Sequence, residues 1–310
     1  MNPKLYHLQI SAKTQLFNFF RKLFIVSGID KLLPALTRHS NMNTFAAKLI
    51  PPNYLYSPGS VRTVEVDGIK LKLDISDTVG HSNYFAINEP AQIVLYNFVK
   101  PDMNVIDIGA NIGATTLNLA KKVGAMGKVF SFEPSPYNYQ NASQNISLNN
   151  FSNIKLINQG LGKEKASAFL YNVNSNNRGM SRLLKENENN NLYEKTSVEI
   201  DTLDNSMVNF SVPPPSFIKI DVEGYEFNVL LGGKETIRKY RPALFIELDD
   251  NNLREQGNTA KELIQLILQF QYKIINAATG GLVNENTNFI NCHFDILCIP
   301  AEEELNSKLK

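Results

Sequence analysis

From residue 104 onward, short apolar runs rich in β-branched residues alternate with longer amphipathic runs. "NVIDIG" (104–109) and "KVFSFEP" (128–134) are runs of the first kind, and "GATTLNLAKKV" (113–123) is one of the second. The apolar runs continue with "SFIKIDVEG", "ALFIELDD", "KIINAATG" and "HFDILCIP". Repeated strand–helix units predict an α/β fold with a mostly parallel sheet that helices cover on both faces.

The N-terminal residues do not follow this alternation. Apolar residues recur at helical spacing there, at Leu16, Phe19, Phe20, Leu23 and Phe24. Residues 1–50 carry seven lysines and arginines against one acidic residue, a net charge of +6. Two interpretations follow: a helical subdomain that packs on the rest of the chain, or a basic amphipathic segment that contacts a membrane surface or a partner.

A β-hairpin is predicted after this helical region. In "VRTVEVDGIKLKLDI" (61–75), apolar residues alternate on both sides of Asp67 and Gly68. An Asp-Gly pair between two alternating runs is a strong signal for a two-residue hairpin turn.

We therefore predict a basic helical region over residues 1–55 and an α/β domain over 56–300, followed by a tail over 301–310. Residues 172–197 interrupt that domain with an asparagine-rich segment of little periodicity. We interpret this segment as a long loop, which serves either as a mobile insertion or as a lid over a substrate.

Composition narrows the function and the location. The chain has 310 residues, of which 43% are hydrophobic, and its formal net charge is +1, which does not indicate a nucleic-acid partner. It contains no run of about 20 apolar residues that would predict a transmembrane helix. We expect a cytoplasmic protein, peripheral to the inner face of the membrane if the basic N-terminal region contacts lipid. Cys292 and Cys298 are predicted to be free thiols.

The stretch "DIGANIG" (107–113) follows the first strand of the alternating region. A dinucleotide-binding turn would show the spacing G-x-G-x-x-G, and this stretch does not. Asp107 at the strand end would also repel a pyrophosphate, whereas it suits a ligand with a cationic amino-acid group. Glycines still allow a ligand to approach the backbone closely.

Glu133 ends the next strand, twenty residues after Gly113. A carboxylate at this position can accept hydrogen bonds from both vicinal hydroxyls of a ribose. Ribose recognition without a pyrophosphate turn indicates S-adenosylmethionine as the cofactor.

These motifs, in this order and spacing, resemble those of the FkbM family of S-adenosylmethionine-dependent methyltransferases. The matching segments between residues 61 and 250 are "VIDIGANIGATT", "FSFEPSPYNYQNASQNISLNN", "SVEIDTLDN", "FIKIDVEGYEFNVLLGG" and "RPALFIEL". The resemblance implies the Rossmann-like sheet of class I methyltransferases, mostly parallel with an antiparallel last strand.

The resemblance also implies the cofactor residues. Asp107, Gly109, Asn111 and Gly113 would line the methionine end and the ribose, and Glu133 would bind the ribose hydroxyls. Gly160 and Leu161 would lie near the adenine, where the acidic side chain of many methyltransferases is absent.

Candidate catalytic residues lie in "KIDVEG" (219–224) and at the end of "ALFIEL". Asp221 is our first candidate for a base or substrate-orienting group, followed by Glu223 and Glu247, and Lys219 is placed to pair with Asp221. His81 is a further candidate base, although a loop histidine is more often structural. Glu223 and Glu247 also have structural interpretations, such as a charge in the first turn of a helix.

The function that the resemblance implies is O-methylation of a hydroxyl group on a glycan or a small metabolite. No metal is expected, because no His/Cys/carboxylate cluster has ligand spacing. The alternatives are a methyltransferase-fold binding protein without activity and, less favoured by the glycine spacing, a nicotinamide-dependent oxidoreductase.

Overall fold

The structure is a computed structural model and describes residues 12–37, 44–86, 89–172, 181–183 and 195–303. Its residues form two compact units, 1–88 and 89–310. Most of the asparagine-rich segment, 173–180 and 184–194, lies outside the described residues, as do residues 1–11 and the end of the tail, 304–310. The prediction of a lid over 172–197 therefore remains a prediction.

The first unit contains the predicted helices and the predicted hairpin. Its elements are α1 (Ala12–Ser27), α2 (Leu33–Thr37), α3 (Phe45–Leu49), β1 (Val61–Val66), β2 (Ile69–Asp74) and α4 (Thr78–Tyr84). Asp67 and Gly68 both have positive φ angles, 52° and 75°, as the predicted two-residue turn requires. Strand β2 buries one face, through Ile69, Leu71 and Leu73.

A buried ion pair connects the hairpin to the N-terminal helices. Asp30 is fully buried, its Oδ2 lies 2.7 Å from the guanidinium of Arg62 on β1, and the hydroxyl of Tyr56 donates to the same oxygen at 3.1 Å. The hairpin therefore belongs to the first unit, which extends to residue 88. The sequence analysis instead placed the hairpin in the domain predicted over residues 56–300.

The second unit is built on two sheets. Its strands are β3 (Asn104–Ile108), β4 (Lys128–Phe132), β5 (Ile154–Ile157), β6 (Gly160–Leu161), β7 (Ala166–Asn172), β8 (Ser181–Leu183), β9 (Lys195–Asp201), β10 (Phe217–Ile220), β11 (Ala243–Asp249), β12 (Tyr272–Asn276) and β13 (His293–Pro300). The larger sheet has seven strands in the order β12-β13-β11-β10-β3-β4-β5. Strand β13 pairs antiparallel with β11 and β12, and β11, β10, β3, β4 and β5 are parallel. The predicted fold class is thus confirmed, including the antiparallel last strand.

Helices cover both faces of this sheet. They are α5 (Pro90–Phe98), α6 (Ala114–Val123), α7 (Pro136–Ser147), α8 (Leu203–Asn209), α9 (Glu226–Gly232), α10 (Lys234–Tyr240), α11 (Asp250–Glu255) and α12 (Ala260–Gln269). Ile106 and Ile108 of β3 join the apolar cluster that includes residues of α9, α10 and α12. Val105, on the opposite face, joins residues of α5 and α6. This alternation explains why the central strands are apolar throughout.

The sequence analysis missed the smaller sheet, which has the order β6-β9-β7-β8. Residues 226–240 form two helices, α9 and α10, which are separated at Gly233.

Within the described residues, no helix has the length and apolarity needed to cross a membrane. The prediction of free cysteines is confirmed, because neither Cys292 nor Cys298 forms a disulfide.

Candidate active site

The glycine-rich turn after β3 has three residues in the left-handed region. Gly109, Asn111 and Gly113 have φ angles of 84°, 51° and 82°. A Cβ atom at Gly109 would lie 1.9 Å from the backbone oxygen of Asp221. Any side chain at position 109 would therefore clash with the end of β10, so the close approach of β3 and β10 requires glycine here. The approach places the glycine turn beside the "KIDVEG" segment.

A row of polar side chains crosses the buried sheet at the level of this turn. Lys219, Asp107 and Ser131 are register partners on the neighbouring strands β10, β3 and β4. The hydroxyl of Thr116, on α6, donates to Oδ2 of Asp107 at 2.6 Å and lies 3.0 Å from the hydroxyl oxygen of Ser131. Asp107 is fully buried, so these polar contacts replace its hydration.

Lys219 connects this buried row to the pocket above it. Its ammonium nitrogen lies 3.5 Å from Oδ1 of Asp107 and 3.2 Å from Oδ2 of Asp221, and it donates to the backbone oxygen of Gly109 at 2.9 Å. Burial alone would lower the pKa of Lys219, but the charges of Asp221 and Asp107 raise it above its ordinary value. These ion pairs therefore favour the charged form of Lys219, as the predicted pairing with Asp221 requires.

Glu133 is held in one orientation by backbone donors. Its Oε2 accepts from the N–H of Asn111 at 2.8 Å, and its Oε1 accepts from the N–H of Ser135 at 2.9 Å. The side-chain amide of Asn158 donates to the backbone oxygen of Glu133 at 2.7 Å. A carboxylate has about four lone-pair sites. Two remain for a ligand, the number that a pair of vicinal hydroxyls needs.

These residues surround a pocket whose empty space, including its open mouth, is about 670 Å³. Seven of the residues predicted from the sequence line it: Gly109, Asn111, Glu133, Gly160, Leu161, Asp221 and Glu223. Oδ1 of Asn111 is buried and has no hydrogen-bond partner within the described residues. An unpaired acceptor in a pocket wall indicates where a ligand would donate a hydrogen bond.

Three of the predicted site residues lie outside the lining of the pocket. Asp107 lies beneath the turn in the buried row, and Gly113 begins helix α6 with its Cα facing Ala142. Glu247 lies on β11. The structure thus places Asp107 and Gly113 where they support the pocket instead of lining it, because strand alternation turns Asp107 toward α6.

The segment after β10 is a tight loop organised around Glu226. Glu223 and Gly224 both have positive φ angles, 55° and 101°. Oε1 of the buried Glu226 accepts from the N–H groups of Val222 and Gly224, both at 3.0 Å. This geometry leaves Asp221 at the strand end and Glu223 on the loop, where Glu223 accepts from the side-chain amide of Asn252 at 3.1 Å.

Sequence reasoning missed Glu226 because its partners are backbone groups of its own loop. It also missed pocket residues that carry no charge, namely Ser135, Asn138, Gln159, Leu183 and Tyr225. Three of them could have been identified from the sequence, because the segments that resemble the family include Ser135, Asn138 and Tyr225.

Two further acidic side chains lie on strands β11 and β13, on one side of Asp221. Glu247 and Asp295 are register partners on β11 and β13. Burial, reinforced by the charges of Asp221 and Glu223, raises the pKa of Glu247 well above its ordinary value. Burial and the charge of Asp221 likewise raise the pKa of Asp295 to about 7. No group of three or more potential metal ligands is found among the described residues.

His81, the further candidate base, belongs to the first unit. Its Nε2 lies 2.7 Å from the backbone oxygen of Pro51, and its ring packs against Phe85 with centroids 4.8 Å apart. Burial lowers the pKa of His81. These contacts favour the structural interpretation of this residue.

The family model of the Methyltransferase FkbM domain matches residues 107–274, more than half of the chain. The chain belongs to the FkbM methyltransferase family. The matched range begins at Asp107, contains the glycine turn, Glu133, the Glu226 loop and strands β4 to β11, and ends within β12. This FkbM chain is thus a methyltransferase, and its cofactor is S-adenosylmethionine.

Curated relatives are similar over part of this FkbM chain. Methyltransferase 1 of Beauveria bassiana (strain ARSEF 2860) is 28% identical over 180 residues, which are 53% of this chain and 71% of the relative. Methyltransferase sdnD of Sordaria araneosa is 30% identical over 159 residues, which are 42% of this chain and 60% of the relative.

Solved structures include an FkbM methyltransferase from Methylobacillus flagellatus KT, with a TM-score of 0.40 and 16% identity over 89% of this chain and 59% of that one. Aeropyrum pernix fibrillarin has a TM-score of 0.41 and 10% identity over 79% of this chain and 84% of that one. This FkbM chain spans 59% of the length of the first of these structures.

The pocket of this FkbM chain fits S-adenosylmethionine. Glu133 has acceptor sites for the two ribose hydroxyls, and the unpaired Oδ1 of Asn111 can accept from a donor of the cofactor. Gly160 and Leu161 lie in the same wall, with Leu170 and Leu183 as apolar surface suited to a base. The residues present therefore match the chemistry of the cofactor.

We expect ribose binding by this FkbM pocket to strengthen as the pH rises through about 7. Burial raises the pKa of Glu133 to about 7, although its backbone donors oppose this shift. Hydroxyl donors bind the ionised carboxylate better than the protonated one, so between pH 6 and pH 8 the dissociation constant should fall by up to about tenfold. Titration calorimetry with adenosine measures this effect without the titratable amino-acid group of the cofactor.

The matched control for this pH effect is Glu133→Gln, whose side chain does not titrate. Its affinity for adenosine should be flat between pH 6 and pH 8. Because burial also raises the pKa of Glu226 to about 7, an undiminished pH dependence in this variant would assign the effect to Glu226 instead.

Proposed function

We propose that this methyltransferase acts on a hydroxyl oxygen of a glycan or a small polar metabolite. The observation that supports an oxygen acceptor is the placement of Asp221. Its side chain is 44% exposed at the pocket, next to the glycine turn, and its Oδ2 is held 3.2 Å from Lys219. A hydroxyl acceptor needs such a positioned carboxylate, because its proton must leave as the methyl group is transferred.

When bound, S-adenosylmethionine supplies an electrophilic methyl group. The chain contributes alignment of the acceptor, which can lower the barrier by about 7–11 kcal/mol. Lys219 holds one oxygen of Asp221, which leaves Oδ1 to accept the proton of the acceptor hydroxyl. A positioned base of this kind is worth about 10²–10⁴-fold in rate.

Glu223 and Glu247 are the second and third candidates for the base. Glu223 lines the pocket, but its Oε2 accepts from Asn252. The raised pKa of Glu247 favours its protonated form, so it is better suited to donate a hydrogen bond than to remove a proton. Asp221 therefore remains the first candidate.

The charges around Asp221 support a neutral acceptor. Asp221 and Glu223 both line the pocket. A phosphorylated or polyanionic acceptor would be repelled, which favours an uncharged sugar or alcohol over nucleic acid.

The direct test uses the full chain with labelled S-adenosylmethionine and extracts of cellular glycans and metabolites. We expect label in a product that is stable to mild alkali, because a methyl ether is stable there and a methyl ester is hydrolysed. Nuclear magnetic resonance of the product distinguishes O-methyl from N-methyl groups. Label in an N-methyl or ester product would contradict the proposal, and no labelled product with cofactor still bound would favour the inactive binding protein.

Asp221→Asn should lower kcat/KM for the acceptor identified in this way by about 10²–10⁴-fold, because the amide cannot accept the proton. The dissociation constant for S-adenosylmethionine should stay within about threefold, since Asp221 is not one of the ribose ligands. Steady-state kinetics and calorimetry measure the two effects separately. Glu223→Gln is the matched comparison, and a larger loss of turnover in that variant would transfer the role of base to Glu223.

A further inference from the structure

Helix α1 is attached to the first unit through polar side chains. Asn18 is its buried residue, with 7% exposure, and its side-chain amide donates to the hydroxyl of Tyr54 at 3.0 Å. Arg21 donates to Oδ1 of Asn18 at 3.2 Å and also to the backbone oxygen of Lys48. Asn18 and Arg21 thus face the helix's own unit and Phe24 and Ile25 are half-buried, while the other large apolar side chains of the helix are exposed. An amphipathic helix in a globular protein usually turns its apolar stripe inward.

The opposite side of α1 carries large apolar side chains that are exposed. Their exposed fractions lie between 49% and 87%, and we call them the apolar face of α1: Leu16, Phe17, Phe19, Phe20, Leu23 and Val26. At about 100° per residue these positions occupy roughly half of the helix circumference. Six exposed apolar side chains on one face form the kind of patch that marks an interaction site.

The exposed apolar surface continues past the end of α1. Ile29, Leu32 and Leu36 are each at least 45% exposed and extend it along the segment that leads through α2. The short helix α2 therefore does not cover this apolar surface.

The exposed charges of this region are all positive. Between residues 14 and 37 the structure describes four charged side chains, those of Arg21, Lys22, Asp30 and Lys31. Asp30 is fully buried and paired with Arg62, whereas Lys22 and Lys31 are exposed. On the helix, Lys22 lies at the border between the apolar face and the polar face.

We propose that the apolar face of α1 docks on a membrane surface that contains anionic phospholipids. An interfacial helix buries its aromatic and aliphatic side chains at the headgroup boundary and places basic residues at the border of the apolar face, where they meet lipid phosphates. A second copy of the chain could also bury the apolar face of α1. Its own basic side chains would then lie close to those of the first copy and repel them. The charge of this surface therefore favours anionic lipid.

The test is flotation of the full chain with vesicles of phosphatidylcholine alone or of phosphatidylcholine and phosphatidylglycerol in equal parts. We expect the partition coefficient to be at least about tenfold higher for the anionic vesicles, because each basic residue near the surface contributes to the attraction. Added salt should reduce the binding, since it screens the charges.

Two variants locate the contact. Phe20→Gln/Leu23→Gln should lower the partition coefficient by more than about tenfold, because two side chains can no longer enter the apolar layer. Both side chains are exposed, so circular dichroism and the melting temperature should be unchanged. Met126→Gln/Val208→Gln is the matched control on exposed apolar residues of the second unit and should bind like the original chain.

Lys22→Glu tests the charge and should reduce binding to anionic vesicles only, whereas Lys261→Glu, at an exposed position of α12, should leave it unchanged. Equal flotation of the original chain and Phe20→Gln/Leu23→Gln would overturn the proposal. Light scattering that shows a dimer which Phe20→Gln/Leu23→Gln dissociates would assign the apolar face to a second copy instead.

Discussion

Replacement of Glu133 by alanine should weaken S-adenosylmethionine binding by at least about 100-fold. The reason is the loss of hydrogen bonds from two ribose hydroxyls to a carboxylate, each worth about 1.5–3 kcal/mol. The variant also removes the acceptor for the N–H groups of Asn111 and Ser135, which should loosen the glycine turn. Titration calorimetry at pH 8, where the carboxylate of the original chain is mostly ionised, measures the effect.

Two comparisons make the result specific. Glu133→Gln retains one acceptor and the shape of the side chain, so its affinity should lie between those of the original chain and the alanine variant. Glu285→Ala removes an exposed carboxylate on a loop of the same unit and should bind the cofactor normally. Unchanged affinity in Glu133→Ala would show that the ribose is bound elsewhere.

Lys219→Met should lower the free energy of unfolding by about 3–5 kcal/mol, because it leaves Asp107 as a buried charge without its cation. It also removes the hydrogen bond to the backbone oxygen of Gly109 and the ion pair with Asp221. The glycine turn and the candidate base therefore each lose a contact that holds them in position. Urea denaturation measures the change in stability. Lys261→Met, at an exposed position on α12, is the matched control and should change the stability by less than about 0.5 kcal/mol.

A double variant separates charge from packing. Asp107→Asn removes the negative charge that Lys219 neutralises, and its amide can still bond to the hydroxyl of Thr116. If the buried charge is the cause, Lys219→Met/Asp107→Asn should be more stable than Lys219→Met alone. If the two substitutions simply add their losses, the electrostatic explanation is contradicted.

The sheet of the second unit could be predicted because its signals are local. Strands such as β3 and β10 are short, apolar and followed at once by helix, and this pattern needs no knowledge of distant residues. The hairpin of β1 and β2 was equally predictable, since Asp67 and Gly68 supply the backbone conformation of its turn.

The smaller sheet could not be predicted in this way. Strand β7 pairs with β9, and the asparagine-rich segment separates the two strands in the sequence. Their identity as strands depends on this pairing, which a local sequence pattern does not reveal. The orientation of α1 was also unpredictable, because its periodicity defines an apolar face but not the direction in which that face points.

For the candidate site, the rule that ligands bind at the carboxyl ends of parallel strands identified Glu133 and Asp221. The same rule could not tell that Asp107 points down into the buried row while its neighbour Gly109 opens onto the pocket. Glu226 was missed because its role is to accept from N–H groups of its own loop, a geometry that residue type alone does not reveal.

The order of strands and helices, the family and the residues that end the strands can be read from the chain alone, because they depend on periodicity and motif spacing. Which of those polar residues reach the pocket, which are buried beneath it with Lys219, and which face of α1 is exposed became known from the folded structure. The physical reason is that solvation, hydrogen bonding and charge neutralisation depend on which distant residues the fold brings together, and the register of β3 against β10 sets those neighbours.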